Sequence, residues 1–191
     1  MPITTILFDL GRTLLDFDFD PINQHLIASS GFDEEEVKAL TVEQYELFSA
    51  GKMTGADWQR FIEERFQLTM SPGEFRRFWA DIFTPMDAMF DLARRTHRHH
   101  RHYLLSNTDE IHISWCLERF PDLFDGLLDG MILSYEAAAI KPDPRIFEYG
   151  MERFELVAEE CVFIDDLPAN IDAARDFGMH GVVIVTPDQV E

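Results

Sequence analysis

Apolar positions along the chain fall into two patterns. Residues 3–8, 103–105 and 161–164 are short, nearly unbroken apolar runs, and residues 181–185 form a fourth that is rich in β-branched side chains. Residues 131–133 are a weaker fifth. Runs too short for helices and apolar on both sides predict strands covered on both faces, as in a parallel sheet. Between the first two runs the spacing turns helical, with marked helix starts. Asp20-Pro21 offers an N-cap followed by a first-turn proline, and Gly31 closes that segment. Thr41 with Gln44, Thr54 with Asp57, and Ser71-Pro72 with Glu74 have capping-box spacing. These signals predict four or five short helices, rich in Phe and Trp, inserted after the first strand. Strand–helix alternation resumes after Thr84-Pro85. The predicted fold class is α/β: a parallel sheet with helices on both faces from residues 1–16 and 86–191, and a small all-helical cap from residues 17–85.

Charge narrows the partners. The 191 residues carry 36 acidic and 16 Lys or Arg side chains, a formal charge of −20. Such a surface repels nucleic-acid phosphates and anionic lipid heads, so neither is an expected partner. Cys116 and Cys161 are too few for a disulfide framework, which suits a reducing compartment. The first residues lack a basic segment followed by a cleavable apolar stretch, and no apolar run nears the ~20 residues a membrane helix needs. The expectation is a cytoplasmic protein without membrane contact, monomeric or homodimeric through cap aromatics. Thr96-His97-Arg98-His99-His100-Arg101-His102 reads as a solvated helix end whose cations face the last carbonyls; its arginines would repel a metal ion.

In an open parallel sheet, ligands bind at the carboxyl ends of the strands. The first strand delivers Asp9, then Gly11, Thr13, Asp16 and Asp18; the second delivers Ser106-Asn107-Thr108-Asp109; the fourth delivers Asp165-Asp166, with Asn170 one helical turn on. Lys141 lies in a proline-stiffened loop, Ile140-Lys141-Pro142-Asp143-Pro144, ahead of a helix. Asp9 and Asp166 together suit Mg²⁺, which takes one or two carboxylates plus phosphate and water. Ser106, Asn107 and the N–H groups opening the next helix suit phosphate oxygens. Lys141 adds fixed positive charge, and Asp9 is placed to attack phosphorus. Taken singly, each residue also reads as an ordinary turn, cap or surface charge. It is their joint order along the chain that points to phosphoryl chemistry.

That order resembles the haloacid dehalogenase-like hydrolase superfamily. The matching segments are Ile6-Leu7-Phe8-Asp9-Leu10-Gly11-Arg12-Thr13, Leu104-Leu105-Ser106-Asn107-Thr108, Ile140-Lys141-Pro142-Asp143-Pro144 and Val162-Phe163-Ile164-Asp165-Asp166-Leu167-Pro168-Ala169-Asn170, spread over essentially the whole chain. The bacterial α-D-glucose-1-phosphate phosphatase subgroup is the nearest likeness. The resemblance implies a Rossmann-like core with a helical cap, and a Mg²⁺-dependent phosphatase acting on a small phosphate ester such as a hexose 1-phosphate through an aspartyl-phosphate. It implies Asp9 as nucleophile and metal ligand, Asp166 as the second metal carboxylate, Ser106, Asn107 and Lys141 as phosphate cradle, and Asp165 and Asn170 in support.

One position departs from the pattern. Most phosphatases of the superfamily carry a second Asp two residues after the nucleophile as general acid and base; here it is Gly11. Its carbonyl still suits a metal ion, but it cannot move a proton, help typically worth 10²–10⁴-fold. Asp16 and Asp18 are candidates to do so through water. Two other functions stay open on sequence: a metal-independent 2-haloacid dehalogenase, and a phospholigand-binding module without turnover.

Overall fold

The computed structural model describes residues 1–185. All four residues of β1 (Thr5–Phe8) are buried because both faces of the strand are covered. Leu7 points into a layer with Phe147 and Ile171, while Phe8 points into the opposite layer with Phe90 and Ile113. After β1 come β2 (Leu15–Phe17), α1 (Asp20–Ser30), α2 (Glu34–Ser49), α3 (Gly55–Phe66), α4 (Pro72–Ala80) and β3 (Phe83–Pro85). The chain continues through α5 (Asp87–Thr96), β4 (Arg101–Ser106), α6 (Glu110–Arg119), α7 (Pro121–Phe124), β5 (Gly130–Leu133) and α8 (Ser134–Ala137). It then runs through α9 (Pro144–Phe154), β6 (Cys161–Asp165), α10 (Pro168–Asp176) and β7 (His180–Val183). Five parallel strands lie in the order β5-β4-β1-β6-β7, with β1 central.

The four helices α1–α4 gather their own core from Leu26, Val37, Phe48, Trp58, Ile62, Phe66, Phe75 and Trp79. Thr54 and Ser71 each close a reciprocal capping box with Asp57 and Glu74. Two starts differ from expectation. Asp33 with Glu36, not Thr41 with Gln44, caps α2; Thr41 sits mid-helix, its hydroxyl donating back to Val37 O. Asp20 is already helical, and Asp18 accepts its N–H. The helical segment joins the sheet through an antiparallel ribbon, β2 against β3, pairing Leu15 with Pro85 and Phe17 with Phe83. The expected boundary at 16/17 falls inside β2 and that at 85/86 directly after β3; residues 186–191 of the expected core segment lie outside the described ones.

His102 corrects the solvated reading of the His-rich stretch. It is fully buried in β4, edge-on to Phe8 at 5.1 Å, and burial with neighbouring His97 lowers its pKa to about 4, so it packs as a neutral ring. The cap aromatics are not exposed either: the large exposed hydrophobics among the described residues are Met1, Val42, Leu47, Val157, Leu167, Val182 and Val185. No described helix is long and apolar enough to cross a membrane.

Candidate active site

Three adjacent strands, β4, β1 and β6, end side by side and deliver Ser106, Asp9 and Asp165. Asp9 continues β1 by donating its N–H to Ile164 O at 2.9 Å, which seats its carboxylate beside β6. Lys141 arrives from the loop between α8 and α9. It is 4% exposed, and its ammonium donates to Asp9 Oδ1 at 2.7 Å, to Asp165 Oδ2 at 2.7 Å and to Leu105 O at 2.9 Å. The same ammonium sits 5.0 Å from the Phe163 ring centroid. A lysine this deep needs charge partners on every side, and it has them.

Asn107 fixes that loop. Its Oδ1 accepts Lys141 N–H at 2.7 Å and its Nδ2 donates to Lys141 O at 2.9 Å. One Nδ2 hydrogen then remains for a ligand. Ser106 is buried at the end of β4, and no hydrogen bond of its hydroxyl is found among the described residues. Asp165 has little left to offer: Oδ1 accepts from Leu167 N and Asn170 Nδ2, and Oδ2 from Lys141 and Asn170. It anchors the lysine and the start of α10.

Carboxylate oxygens of Asp9, Asp165 and Asp166 lie within 4.8 Å of one another. Three acids against one ammonium leave an excess of negative charge. Burial raises the Asp9 pKa to about 6, with Lys141 opposing and Asp165 reinforcing. Burial and the Asp165 charge also raise that of Asp166, while Arg12 and Lys141 pull it down. Such a set suits a hard divalent cation through Asp9 and Asp166, whose oxygens are the less committed. The Gly11 carbonyl is also free of the turn's own bonds, which run from Arg12 N to Leu15 O and from Leu14 and Leu15 N to Leu10 O.

The position of the absent acid is physically filled. A Cβ on Gly11 would lie 2.7 Å from Phe17 Cε1, and Phe17 is held by Arg12, Phe19 and Phe83. Gly11→Asp should therefore cost about 1–3 kcal/mol, an overpacking penalty. Urea unfolding checks this, and the cost should shrink in a Phe17→Ala background; equal costs in both would refute the clash. Asp16 and Asp18 are engaged elsewhere: Asp16 pairs with Arg12 and accepts Phe17 N–H, and Asp18 accepts Asp20 N–H. An apolar cavity of about 210 Å³ lies among Phe19, Ile22, Leu26, Tyr45 and Trp79 in the cap, and none of its lining residues is a predicted site residue.

Sequence reading missed a second polar cluster, beside the first. Asp109 caps α6 with Oδ1, accepting from Ile111 N and His112 N, and its Oδ2 meets Tyr45 OH at 3.1 Å and His112 Nδ1 at 2.7 Å. In the sequence Asp109 stood out only as the last residue delivered after the second strand, and no local spacing links it to Tyr45 or His112.

The family model for haloacid dehalogenase-like hydrolases matches residues 3–178. D-ribitol-5-phosphate phosphatase of Bacteroides thetaiotaomicron is 25% identical over 184 residues, covering 92% of this chain and 89% of that protein. A HAD family enzyme of the same organism, crystallised as an alanine variant with magnesium and inorganic phosphate, is 25% identical with a TM-score of 0.81, covering 95% of this chain and 93% of that one. L-2-haloacid dehalogenase of Xanthobacter autotrophicus shares the fold at 16% identity and a TM-score of 0.62, covering 95% of this chain and 77% of that one.

Proposed function

Because the chain belongs to the haloacid dehalogenase-like hydrolases, we propose that it is a Mg²⁺-dependent phosphatase of small sugar or sugar-alcohol phosphates, working through an aspartyl-phosphate on Asp9. The observation that carries this reading is the buried ammonium of Lys141 set between Asp9 and Asp165, with Asp166 beside them. A 2-haloacid dehalogenase also needs an aspartate nucleophile, but it has no use for an excess of carboxylates at that nucleophile. Relatives named as a ribitol-phosphate phosphatase and as a magnesium–phosphate complex support the same direction.

In this mechanism an ionised Asp9 oxygen forms a bond to phosphorus while the ester P–O bond breaks, and the alcohol oxygen departs with the bonding pair and takes a proton from water. Water then attacks phosphorus as the bond between phosphorus and the Asp9 oxygen breaks; the attacking water gives its proton to solvent, phosphate leaves, and the Asp9 carboxylate is restored. Lys141 holds Asp9 in place and adds positive charge beside the transferring group. Ser106 and the spare Asn107 hydrogen face the phosphoryl oxygens. Asp9, Asp166 and the Gly11 carbonyl would hold Mg²⁺, which would supply the charge that lets an anion approach an anion. With Gly11 unable to donate a proton, a more acidic leaving alcohol is favoured. The anomeric hydroxyl of a hexose 1-phosphate meets that need better than a primary alcohol.

A phosphate-release screen over hexose 1-phosphates, hexose 6-phosphates and pentitol 5-phosphates tests the reading. Turnover should vanish with EDTA and return with Mg²⁺. Because bound metal displaces the Asp9 proton, the Mg²⁺ needed for half-activity should rise as pH drops below about 6 and level off above it. Metal-independent turnover, or chloride release from 2-chloropropionate without phosphatase activity, overturns it.

A further inference from the structure

The end of β4 and the residues that follow it are tied to α2 of the cap at two points, one relayed through Ser134 of α8 and one direct. Ser134 Oγ donates to Ser49 O at 2.6 Å and also meets the backbone of Thr108, accepting its N–H at 2.9 Å. One helical turn earlier, Tyr45 OH donates to Asp109 Oδ2 at 3.1 Å. Tyr45 and Ser49 are four residues apart and so share a face of α2.

His112 completes the grip. Its Nδ1 meets Asp109 Oδ2 at 2.7 Å and its Nε2 meets Trp79 O, on α4 of the cap, at 3.0 Å. Carboxylate and carbonyl oxygens only accept, so the ring serves as a donor at both nitrogens. It is 2% exposed and stacks on Trp79, with centroids 5.6 Å apart and planes 15° apart. Phe19 and Phe83 stand edge-on to it. Tyr45 keeps its proton, since burial and the Asp109 charge push its pKa well up. Burial pushes the Asp109 pKa up, but His112 and the hydrogen bonds from His112 and Tyr45 outweigh it and bring it below its ordinary value. The Tyr45 hydroxyl and both His112 ring nitrogens meet oxygen partners, while the buried Nε1 of Trp79 has none, and every polar contact but the N-cap and His112–Asp109 bonds joins the cap to α6. Buried polar bonds that join two parts in this way favour one relative placement of them.

We propose that His112 and Tyr45 are positioning residues: through Asp109 they seat the cap on the loop holding Ser106 and Asn107, so that the phosphate-binding end of β4 is complete only when the cap is down. If substrate binds the seated form, loosening the seat lowers its population and raises apparent KM by the same factor. The bound complex restores the seat, so kcat holds.

Tyr45→Phe and His112→Phe test this in the full-length protein. Amide hydrogen exchange should quicken by about 10-fold or more in residues 34–49 and 106–109, as expected when a hydrogen bond to a charged group is lost, while β6 and α10 stay as in the wild type. In phosphate-release kinetics, which rest on the phosphatase reading, KM should rise by about 10-fold with kcat within about 3-fold. Tyr45→Phe removes only a hydroxyl and decides the matter should His112→Phe not fold. Unchanged exchange in residues 34–49 and 106–109, or acceleration spread evenly through β6 and α10, overturns the proposal. So does a fall in kcat with KM constant. If no ester is hydrolysed by the wild type, it is the proposed function that fails, and the exchange measurement still judges the seat.

Discussion

Asp9→Asn should abolish phosphate release, by about 10⁴-fold or more, while leaving the fold intact. Asparagine has the same shape, and its Oδ1 can still accept from Lys141, now 2.7 Å from the Asp9 oxygen. It offers no anionic oxygen to phosphorus and is a poorer metal ligand. The same substitution has a signature in stability. In the metal-free protein the Asp9 carboxyl has a pKa of about 6 against an ordinary 3.8. Between those values the native state binds more protons than the unfolded one, so stability falls as pH rises from about 4 to about 6. Asp9→Asn removes that loss, worth roughly 2–3 kcal/mol above pH 6 at about 1.4 kcal/mol per pKa unit. Part of the slope persists, because Asp166 is shifted in the same direction. Phosphate release and urea unfolding at pH 4.5 and pH 7.5 check both halves. Turnover within tenfold of the wild type would remove Asp9 as nucleophile.

How much of this was legible in the sequence differs from layer to layer. Strands β1, β4 and β6 stood out because they are buried on both faces, so hydrophobicity alone marks them, whereas the half-exposed edge strand β7 was marked by its β-branched residues; β1 and β6 were located to within two residues. His102 was lost from the expected β4 because a buried neutral imidazole looks polar in a sequence. The ribbon of β2 and β3 was missed for a different reason. Each strand has three residues, and their pairing joins positions 68 apart, Asp16 to Thr84, that no local pattern connects. At α2 two capping signals competed within one stretch. Asp33-Glu34-Glu35-Glu36 won, because acids in the first turn also complement the helix dipole, whereas a mid-helix threonine satisfies itself on the preceding turn.

The candidate site shows the same division. Asp9, Ser106, Asp165 and Asp166 were readable as a group because parallel strands place their carboxyl ends on one edge. What each side chain holds was not readable. Asn107 spends its amide on the Lys141 backbone, and Asp165 spends both oxygens on Lys141, Asn170 and Leu167. Tyr45 and His112 are separated by 67 residues and meet only because α2 and α6 pack against the same loop. Partner assignments of this kind depend on angles and distances between elements, which spacing along a chain does not carry.

Lys141→Met is expected to be the most destabilising single change at the site. Methionine matches the length and buries well, so the loss isolates the charge. It strips Asp9 of its ion-pair partner and takes from Asp165 Oδ2 its cation, leaving that oxygen to Asn170 alone. Removing one member of a buried ion pair typically costs 3–5 kcal/mol, because the opposite charge stays behind in a poor solvent. For a chain of this size that lowers the melting temperature by on the order of 10 °C. The cost should itself depend on pH. Lys141 is the main influence lowering the Asp9 pKa, so without it that pKa climbs beyond about 6. The native variant then holds a proton on Asp9 to higher pH than the wild type does. Its stability deficit is thus smaller where Asp9 is protonated in both proteins, below about pH 5, and grows as pH rises through 6 and above. Urea unfolding of metal-free protein at pH 5 and pH 8 should show the larger gap at pH 8. Adding Mg²⁺ at pH 8 should recover more stability in the variant than in the wild type, since the ion meets carboxylates that have lost their own cation. Phosphate release should fall by about 10²–10³-fold even with Mg²⁺ saturating, the usual cost of deleting one preorganised charge beside a transferring group. A deficit that is equal at both pH values, or smaller than about 1 kcal/mol, would mean that Lys141 carries neither the electrostatic balance of the site nor the charge assigned to it in turnover.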